Sequence, residues 1–269
     1  MRTKELGNTG VEIPEIGLGT SQYNAGPGPL VRGIEAGARL LDTAERYGTE
    51  EVVGEAVRGR RDSVLVATKV SGANVKYDQV IEAANLSLAR LGVDCIDLYQ
   101  VHWQDPAVPI KETMSAMETL VDEGKVRYIG VSNYTADQMK EAQDSLKSNP
   151  LVSNQVLYNL ADREIEDEVL PYCQENGVTV LAFSPLAQGR LASLSFFWRT
   201  KAMNALRRIA GELGKTSAQV ALNWCVSRQS VVPIPKSSQE ARVLEFCAAS
   251  GWDLTPDQVA ELDRVFVRY

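Results

Sequence analysis

The chain has 269 residues, of which 44% are apolar and 23% charged, and its net charge is −7. This composition is typical of a globular protein with a large core, and the acidity argues against general affinity for nucleic acid or anionic membranes. One histidine and four scattered cysteines leave a Cys/His zinc site almost without ligands. No run of 18 apolar residues is present, and residues Met1–Gly7 lack the apolar segment of a signal peptide. We therefore expect a cytoplasmic protein with reduced cysteines and no membrane partner.

The first residues predict a β-hairpin, with strands at Thr3–Leu6 and Val11–Ile13 around a turn at Asn8–Gly10. Eight short apolar runs follow, each bounded by turn residues and separated from the next by a helical segment. The runs are Ile16–Thr20, Arg39–Thr43, Val64–Lys69, Cys95–His102, Val126–Ser132, Val152–Val156, Val178–Phe183 and Val231–Pro235. Continuous apolar strands joined by helices indicate a parallel sheet.

Helical periodicity is clearest over Tyr77–Leu91, where Val80, Ile81, Ala84, Leu86, Leu88 and Leu91 recur three and four residues apart. Lys111–Asp122 carries Met114, Met117 and Leu120 on one face. Two further helices lie outside the repeat, at Phe196–Leu213 after strand seven and at Thr255–Phe266. We predict one α/β domain over residues 1–269, a (β/α)8 TIM barrel with an N-terminal hairpin and these extra helices. An open dinucleotide-binding sheet fits less well, because Gln22 stands where GxGxxG needs its third glycine.

Four ionisable residues fall at the carboxyl ends of three consecutive predicted strands, where barrel enzymes place their chemistry. Asp42 ends strand two and Tyr47 follows it, Lys69 ends strand three, and His102 ends strand four. Singly, Lys69 could cap a strand in solvent and His102 could pack in the core. Together they predict a proton-donating site.

A tyrosine hydroxyl is a poor acid at neutral pH, but a nearby ammonium would lower its pKa. Lys69 could supply that ammonium, with Asp42 as its counter-charge, and a neutral His102 could donate a hydrogen bond to a substrate oxygen. A proton donor with an oxyanion stabiliser suits hydride addition to a carbonyl. A hydrolase is not indicated, because no GxSxG elbow surrounds a serine. We interpret Glu50 and Glu51 as a solvated helix surface.

Strand eight runs into a helix that carries Arg242, with Lys236 at the junction. Free N–H groups at a helix start and two cations suit a phosphate, although an ordinary solvated strand end is the alternative. The strand ends at Ser132, Asn133 and Gln155 could hold a nicotinamide carboxamide, and Phe183 could stack on its ring.

In this order the motifs resemble the aldo-keto reductase family over essentially the whole chain. The matching segments are Leu41–Gly48, Lys69, Tyr99–Trp103, Gly130–Asn133, Gln155, Phe183–Leu186 and Ile234–Ser237 with Arg242. The resemblance implies Tyr47 as general acid, tuned by Lys69 and Asp42, and His102 positioning the carbonyl. Family members that reduce steroid double bonds carry glutamate at the matching position, so His102 points to carbonyl reduction.

The resemblance also implies NADPH lying across the barrel mouth, and a small aldehyde or ketone as substrate. Ser132, Asn133 and Gln155 match carboxamide contacts, Ser184 and Leu186 match pyrophosphate contacts, and Phe183 matches the stacking position. Lys236, Ser237 and Arg242 match the 2′-phosphate grip, and Glu245 matches an adenine contact. The expected cofactor-binding set is completed by Gly19, Thr20, Asp42 and Ser238.

Three departures from the family pattern bear on the pocket. Ser21 stands where the family often has an aromatic residue, and Phe246 stands where asparagine usually follows the Glu245 position. We also expect no long C-terminal loop after the last helix. We expect an open substrate pocket lined by Tyr23, Tyr47, His102 and Trp103, with broad aldehyde specificity, in a monomer as in many relatives.

Two other functions remain open at this point. One is a regulatory or redox-sensing subunit that keeps the fold and binds NADPH but turns over slowly. Potassium-channel β subunits resemble this family in that way. The other is an isomerase or aldolase that uses Lys69 as a Schiff base, which leaves Lys236 and Arg242 unexplained.

Overall fold

The computed structural model describes residues 1–192 and 200–266. A two-stranded antiparallel hairpin, β1 Thr3–Glu5 and β2 Glu12–Pro14, precedes eight strands that pair in parallel in chain order. The eight are β3 Leu18–Gly19, β4 Leu40–Asp42, β5 Leu65–Val70, β6 Ile96–Val101, β7 Val126–Ser132, β8 Leu151–Leu157, β9 Thr179–Phe183 and β10 Val231–Pro233. Each predicted run thus coincides with one strand to within two residues at either end, and the (β/α)8 fold with its hairpin is confirmed.

Helices surround the strands. Those of the described residues are α1 Gly28–Glu35, α2 Glu50–Val57, α3 Tyr77–Leu91, α4 Ile110–Asp122, α5 Ala136–Ser145, α6 Val169–Glu175, α7 Lys201–Glu212, α8 Ser217–Val226, α9 Glu240–Cys247 and α10 Pro256–Val265. The two extra helices are α7 and α10, although residues 196–199 of the first prediction lie outside the described residues. Within the described part of the chain, no helix is long and apolar enough to cross a membrane.

The first and last strands of the barrel are joined at two glycines. Gly17 N donates to Pro233 O at 3.0 Å, and Gly19 N donates to Pro235 O at 3.0 Å. A Cβ on Gly19 would lie 3.0 Å from Ile234 O. Glycine therefore permits the close backbone approach that closes the sheet.

The core has two parts, one inside the barrel and one between strands and helices. Leu40, Leu98 and Leu181 fill the interior, while Leu6 and Ile13 of the hairpin cover its amino-terminal end. Because apolar side chains fill the lower layers, the opposite, carboxyl end is left for polar side chains.

Leu86, one of the apolar positions in the predicted helical pattern, does not face the core. Leu86 of α3 is 51% exposed, whereas Val80, Ala84 and Leu91 are buried. The buried stripe passes through Ser87 instead, about 100° around the helix from Leu86. Ser87 is tolerated there because its hydroxyl accepts a hydrogen bond from Arg90.

Candidate active site

Three neighbouring strands deliver the four residues of the predicted catalytic site. Asp42 ends β4, Lys69 is the penultimate residue of β5, and His102 directly follows β6. Tyr47 ends a short 3₁₀-helix, Glu45–Tyr47, which Gly48 terminates in the left-handed conformation at φ 66°. Parallel strands bring their carboxyl ends to one rim, so side chains 60 residues apart in sequence lie together.

Lys69 is completely buried and forms an ion pair with Asp42. Its Nζ lies 2.8 Å from each carboxylate oxygen of Asp42 and 2.8 Å from Thr43 O. An ammonium has three N–H bonds, and these three acceptors occupy them all. Lys69 therefore has no N–H left to donate to Tyr47, and its Nζ instead lies 5.1 Å from the centroid of the Tyr47 ring.

Asp42 also accepts hydrogen bonds from two buried amides. Gln155 Nε2 lies 2.8 Å and Gln100 Nε2 3.3 Å from Asp42 Oδ1. Gln100 was not among the predicted site residues, although it stands two residues before His102 and so faces the same side of β6. The carboxylate is thus held by an ammonium and two amides, which offset the cost of burying its charge.

Tyr47 and His102 meet in front of this pair. Tyr47 Oη lies 3.5 Å from His102 Nε2, and the two rings stand edge to face at 5.6 Å. His102 Nδ1 is buried and has no hydrogen-bond partner among the described residues. The Nε2–H tautomer satisfies this arrangement best, because a buried N–H without an acceptor is costly.

Burial and charge set the protonation states of both residues. Burial of the phenol, together with the Asp42 carboxylate, raises the pKa of Tyr47. The expected lowering by Lys69 is therefore not found in the free protein. Burial, and then the Lys69 ammonium, lower the pKa of His102 from 6.5 to about 4. At neutral pH, Tyr47 keeps its proton and His102 is uncharged.

A cleft of about 1170 Å³ opens over these residues and extends toward β10. Its volume lies slightly above the range of about 300–1,000 Å³ that is usual for small-molecule sites, which leaves room for a large organic ligand. It is lined by most of the predicted residues: Gly19, Asp42, Tyr47, His102, Trp103, Ser132, Asn133, Gln155, Phe183, Ser184, Leu186, Lys236, Ser237, Ser238 and Arg242.

Four predicted residues do not line the cleft. Lys69 and Thr20 are buried behind it, and Glu245 pairs with Arg242 on α9. Tyr23, expected as a substrate wall, packs in the core, and its hydroxyl donates to Gly26 O at 2.8 Å. The turn that contains Gln22 at φ 55° reverses the chain and directs the Tyr23 ring inward.

Two of the predicted residues that line the cleft adopt the left-handed conformation, Asn133 at φ 60° and Ser184 at φ 50°. Asn133 Nδ2 donates to His102 O at 3.1 Å, and the Ser132 hydroxyl donates to Gln155 O at 2.8 Å. These bonds join the ends of β6, β7 and β8. Strained backbone that its surroundings hold in place is typical of ligand sites.

The far end of the cleft is cationic. Lys236 is exposed, with no ion pair among the described residues, and Arg242 Nη1 lies 2.9 Å from Glu245 Oε2. The Ser238 hydroxyl accepts a hydrogen bond from Asn24 N at 3.3 Å. Lys236 and two hydroxyls before α9, with Arg242 in its first turn, match the chemistry of a phosphate. Amides at one end and cations at the other therefore fit an extended dinucleotide carrying an additional phosphate.

Several further residues that line the cleft were not among the predicted site residues. They are Ser21, Gln22, Asn24, Pro185, Gln188, Gly189, Ala192, Ile234, Pro235, Gln239 and Phe246. Most lie on turns, whereas Pro185, Ile234 and Pro235 lie within the segments that carry the family resemblance and Phe246 lies on α9. Ser21 and Phe246 had been noted only as departures from the family pattern. Their positions follow from how the loops fold over the rim, which local sequence predicts poorly.

The assignment of Glu50 to a solvated surface is wrong, whereas Glu51 is exposed as expected. Glu50 is 1% exposed, and its carboxylate accepts hydrogen bonds from the Thr68 hydroxyl and from Arg90 Nε, each at 2.6 Å. A carboxylate becomes compatible with burial when such partners replace water.

The chain is similar to known proteins over nearly all of its length. The model of the aldo/keto reductase family matches residues 15–266. A methylglyoxal reductase of Escherichia coli is 39% identical over 267 residues, covering 95% of this chain and 92% of the relative. A thermostable aldo-keto reductase solved with the inhibitor epalrestat is 36% identical, with a TM-score of 0.91 over 98% of this chain and 100% of that one.

An aldo/keto reductase from Klebsiella pneumoniae, solved with NADP and acetate, is 35% identical. Its TM-score is 0.89, over 99% of this chain and 96% of that one. The family model spans nearly all of the barrel, and the relatives match this chain almost end to end. The chain belongs to the aldo/keto reductase family.

Proposed function

We propose that this protein reduces the carbonyl group of aldehydes and ketones to an alcohol, with NADPH as hydride source and Tyr47 as proton donor. Family membership and the named reductase among its relatives support an NADP-dependent oxidoreductase acting on carbonyls. The observation that carries the proposal is the arrangement of Tyr47 and His102 in the cleft, in front of a buried Asp42–Lys69 pair.

The residues that line the cleft suit NADPH, which a related structure contains as NADP. Asn133, Ser132 and Gln155 would hold the carboxamide, and Phe183 would stack on the ring. Lys236, Ser237 and Arg242 would hold the 2′-phosphate. When bound, the nicotinamide supplies a hydride, so the protein has to supply only binding, orientation and a proton.

Tyr47 Oη is the proton donor in this proposal. A carbonyl oxygen placed within reach of both Tyr47 Oη and His102 Nε2 would become an alkoxide on reduction and take the phenolic proton. The raised pKa of Tyr47 keeps that proton in place at neutral pH until the far more basic alkoxide forms.

His102 and the buried pair support this transfer. A neutral imidazole donates one hydrogen bond from Nε2 to the carbonyl oxygen and stabilises the negative charge that develops there. The Lys69 ammonium, 5.1 Å from the Tyr47 ring centroid, favours the phenolate that remains after the proton has left. Asp42, with Gln100 and Gln155, fixes the ammonium in place.

Small 1,2-dicarbonyl compounds are the first substrates to test, since a relative is a methylglyoxal reductase. Trp103 stands at the rim of the cleft with 53% of its surface exposed, which makes it an aromatic wall for a small substrate. A Schiff-base function of Lys69 is disfavoured, because its amine is fully buried and held by three acceptors.

The test is the oxidation of NADPH, followed by absorbance, with methylglyoxal, glyoxal and simple aldehydes. Replacing Tyr47 with Phe should lower kcat about 10²- to 10⁴-fold, the usual contribution of general acid catalysis. NADPH should still bind, because the ring remains. Turnover that survives the substitution would exclude Tyr47 as the acid. Tight NADPH binding by the wild-type protein without turnover of any carbonyl would favour the regulatory function.

A further inference from the structure

Three buried threonines lie behind the proposed proton donor, outside the cleft. Thr20 follows β3, Thr43 follows β4, and Thr49 stands immediately before α2. The Thr49 Oγ1 atom lies 2.9 Å from Thr20 Oγ1 and 2.9 Å from Thr43 Oγ1. Thr49 is 4% exposed and the other two are fully buried, so no solvent can replace these hydrogen bonds.

The direction of each bond follows from the number of protons. The Thr20 hydroxyl donates to Asp42 O at 3.0 Å, and a hydroxyl has only one proton. Thr20 therefore accepts from Thr49, and Thr49, whose proton is then used, accepts from Thr43. The three hydroxyls form one directed chain from Thr43 to Asp42 O, with Thr49 at its centre.

The hydrogen bond between the Thr43 and Thr49 hydroxyls closes the loop that carries Tyr47. The chain leaves β4 at Thr43, passes through the 3₁₀-helix Glu45–Tyr47, and returns at Thr49 beside Thr43. On its other side the loop is held by Glu45, whose Oε1 accepts hydrogen bonds from Ser71 N and from Asn74 Nδ2 at 3.0 Å.

The hydrogen bond between Thr43 and Thr49 also bears on the position of Lys69, because Thr43 contacts both residues. Thr43 O is the third acceptor of the Lys69 ammonium, at 2.8 Å. A shift of Thr43 would therefore disturb Lys69 and Tyr47 at once. By contrast, the residues proposed to hold NADPH lie on or after β7 to β10 and on α9. The hydrogen bonds of the three hydroxyls join them to one another and to Asp42 O.

We propose that Thr49 is a positioning residue for carbonyl reduction, whose hydroxyl holds the Tyr47 loop and Thr43 O in the geometry that proton transfer needs. The inference rests on the proposed function, since it assumes that Tyr47 is the acid. A displacement of about 1 Å can cost about 10²-fold in rate, so the hydroxyl of Thr49 should matter for kcat and little for NADPH binding.

The test compares Thr49→Val, which keeps the shape but removes the hydroxyl, with Thr49→Ser, which keeps the hydroxyl. We expect Thr49→Val to lower kcat about 10- to 100-fold, with an unchanged Kd for NADPH by fluorescence titration. Thr49→Ser should restore most of the rate. Thr43→Val removes the first donor of the chain and should lower kcat in the same direction, which keeps the test valid if Thr49→Val does not fold.

Thr179→Val is the matched control, because Thr179 is a buried threonine at the opposite end of the barrel whose hydroxyl accepts from Gly7 N at 2.8 Å. It should lower Tm comparably and leave kcat near the wild-type value. The proposal is overturned if Thr49→Val turns over at the wild-type rate, if Thr49→Ser fails to restore activity, or if Thr179→Val loses equal activity. Failure of the proposed function can be distinguished from failure of the Thr49 proposal, because in the first case the wild-type protein itself would not reduce any carbonyl.

Discussion

At the scale of single residues, the site depends on which groups keep their protons. Tyr47 and His102 are both neutral at neutral pH, because burial disfavours the phenolate of the first and the imidazolium of the second. The charge of the site is concentrated on Asp42 and Lys69, whose groups satisfy each other behind the reacting surface. Two neutral hydrogen-bond donors facing the cleft, Tyr47 and His102, with the Asp42–Lys69 ion pair buried behind them, suit a reaction in which negative charge develops on the substrate oxygen.

His102 should make the stability of the protein depend on pH. Its pKa is about 4 in the folded protein and 6.5 in the reference state, so the unfolded chain binds the proton more readily. Stability should therefore fall as pH falls through 6.5 toward 4, and His102 contributes no change above that window. Since His102 is the only histidine, His102→Gln should lose less stability than wild type between pH 7 and 5.5.

The measurement is urea unfolding at both pH values, with pH 8 as the reference at which His102 is neutral in both states. Parallel losses of stability in wild type and His102→Gln would contradict the assignment.

Lys236 should decide the preference for NADPH. Its exposed ammonium has no ion pair among the described residues and lines the cationic end of the cleft. A charge-assisted hydrogen bond contributes about 1.5–3 kcal/mol, so Lys236→Ala should weaken NADPH binding about 10- to 100-fold. NADH lacks the 2′-phosphate, and its Kd should be unchanged. Lys140→Ala, the same charge change on exposed α5, should affect neither; equal weakening for both cofactors would contradict a 2′-phosphate contact.

At the scale of elements, the packing of α2 against α3 needs a glycine. A Cβ on Gly54 would lie 2.2 Å from Leu91 O at the end of α3. Because this neighbour is backbone, it cannot move aside by changing rotamer. The helix that follows the Tyr47 loop is thus set by close contact with α3.

Gly54→Ala should therefore lower the free energy of unfolding by about 1–3 kcal/mol, the usual cost of overpacking. Gly211→Ala on α7 is the control, because its Cβ would have no neighbour within 4 Å. That change should stabilise the protein by up to about 1 kcal/mol through helix propensity. Chemical denaturation of both variants measures the difference, and a Gly54→Ala protein as stable as wild type would show that α2 can shift without cost.

At the scale of the whole molecule, Asp263 links α10, the last described helix, to α8 and to Arg163. Its Oδ1 accepts from Trp224 Nε1 at 2.9 Å and pairs with Arg228 and, at 3.4 Å, with Arg163. Both guanidinium groups lie over the Trp224 ring, at 4.5 Å and 5.4 Å from its centroid. Residues more than 30 positions apart are thereby joined in one cluster.

Asp263→Asn should cost about 1–3 kcal/mol of unfolding free energy, because it leaves partly buried guanidinium groups without this charge. Asp253→Asn is the matched control. Asp253 pairs with Arg2 at 2.7 Å while its side chain is 73% exposed, so its loss should cost clearly less than the loss of Asp263, because solvent screens an exposed pair. Thermal and urea unfolding compare the two, and equal losses would show that the cluster adds nothing to an ordinary surface pair.

The sequence by itself determined the order of the elements and the place of the site. Alternation of apolar strands with helices of period 3.6 predicted the eight parallel strands. Asp42, Lys69 and His102 could be placed together because parallel strands end at one rim, whatever the loops do. The four residues of the proposed catalytic site and most of the cleft were therefore predictable from local pattern and topology.

Only the tertiary structure decided contacts between residues far apart in the chain. It turned Tyr23 into the core, buried Glu50 beside Arg90, and used all three N–H bonds of Lys69 on Asp42 and Thr43. It also placed Gln100 on Asp42. Local sequence specifies periodicity and strand ends, whereas burial and hydrogen-bond partners depend on which distant side chains fill the same space.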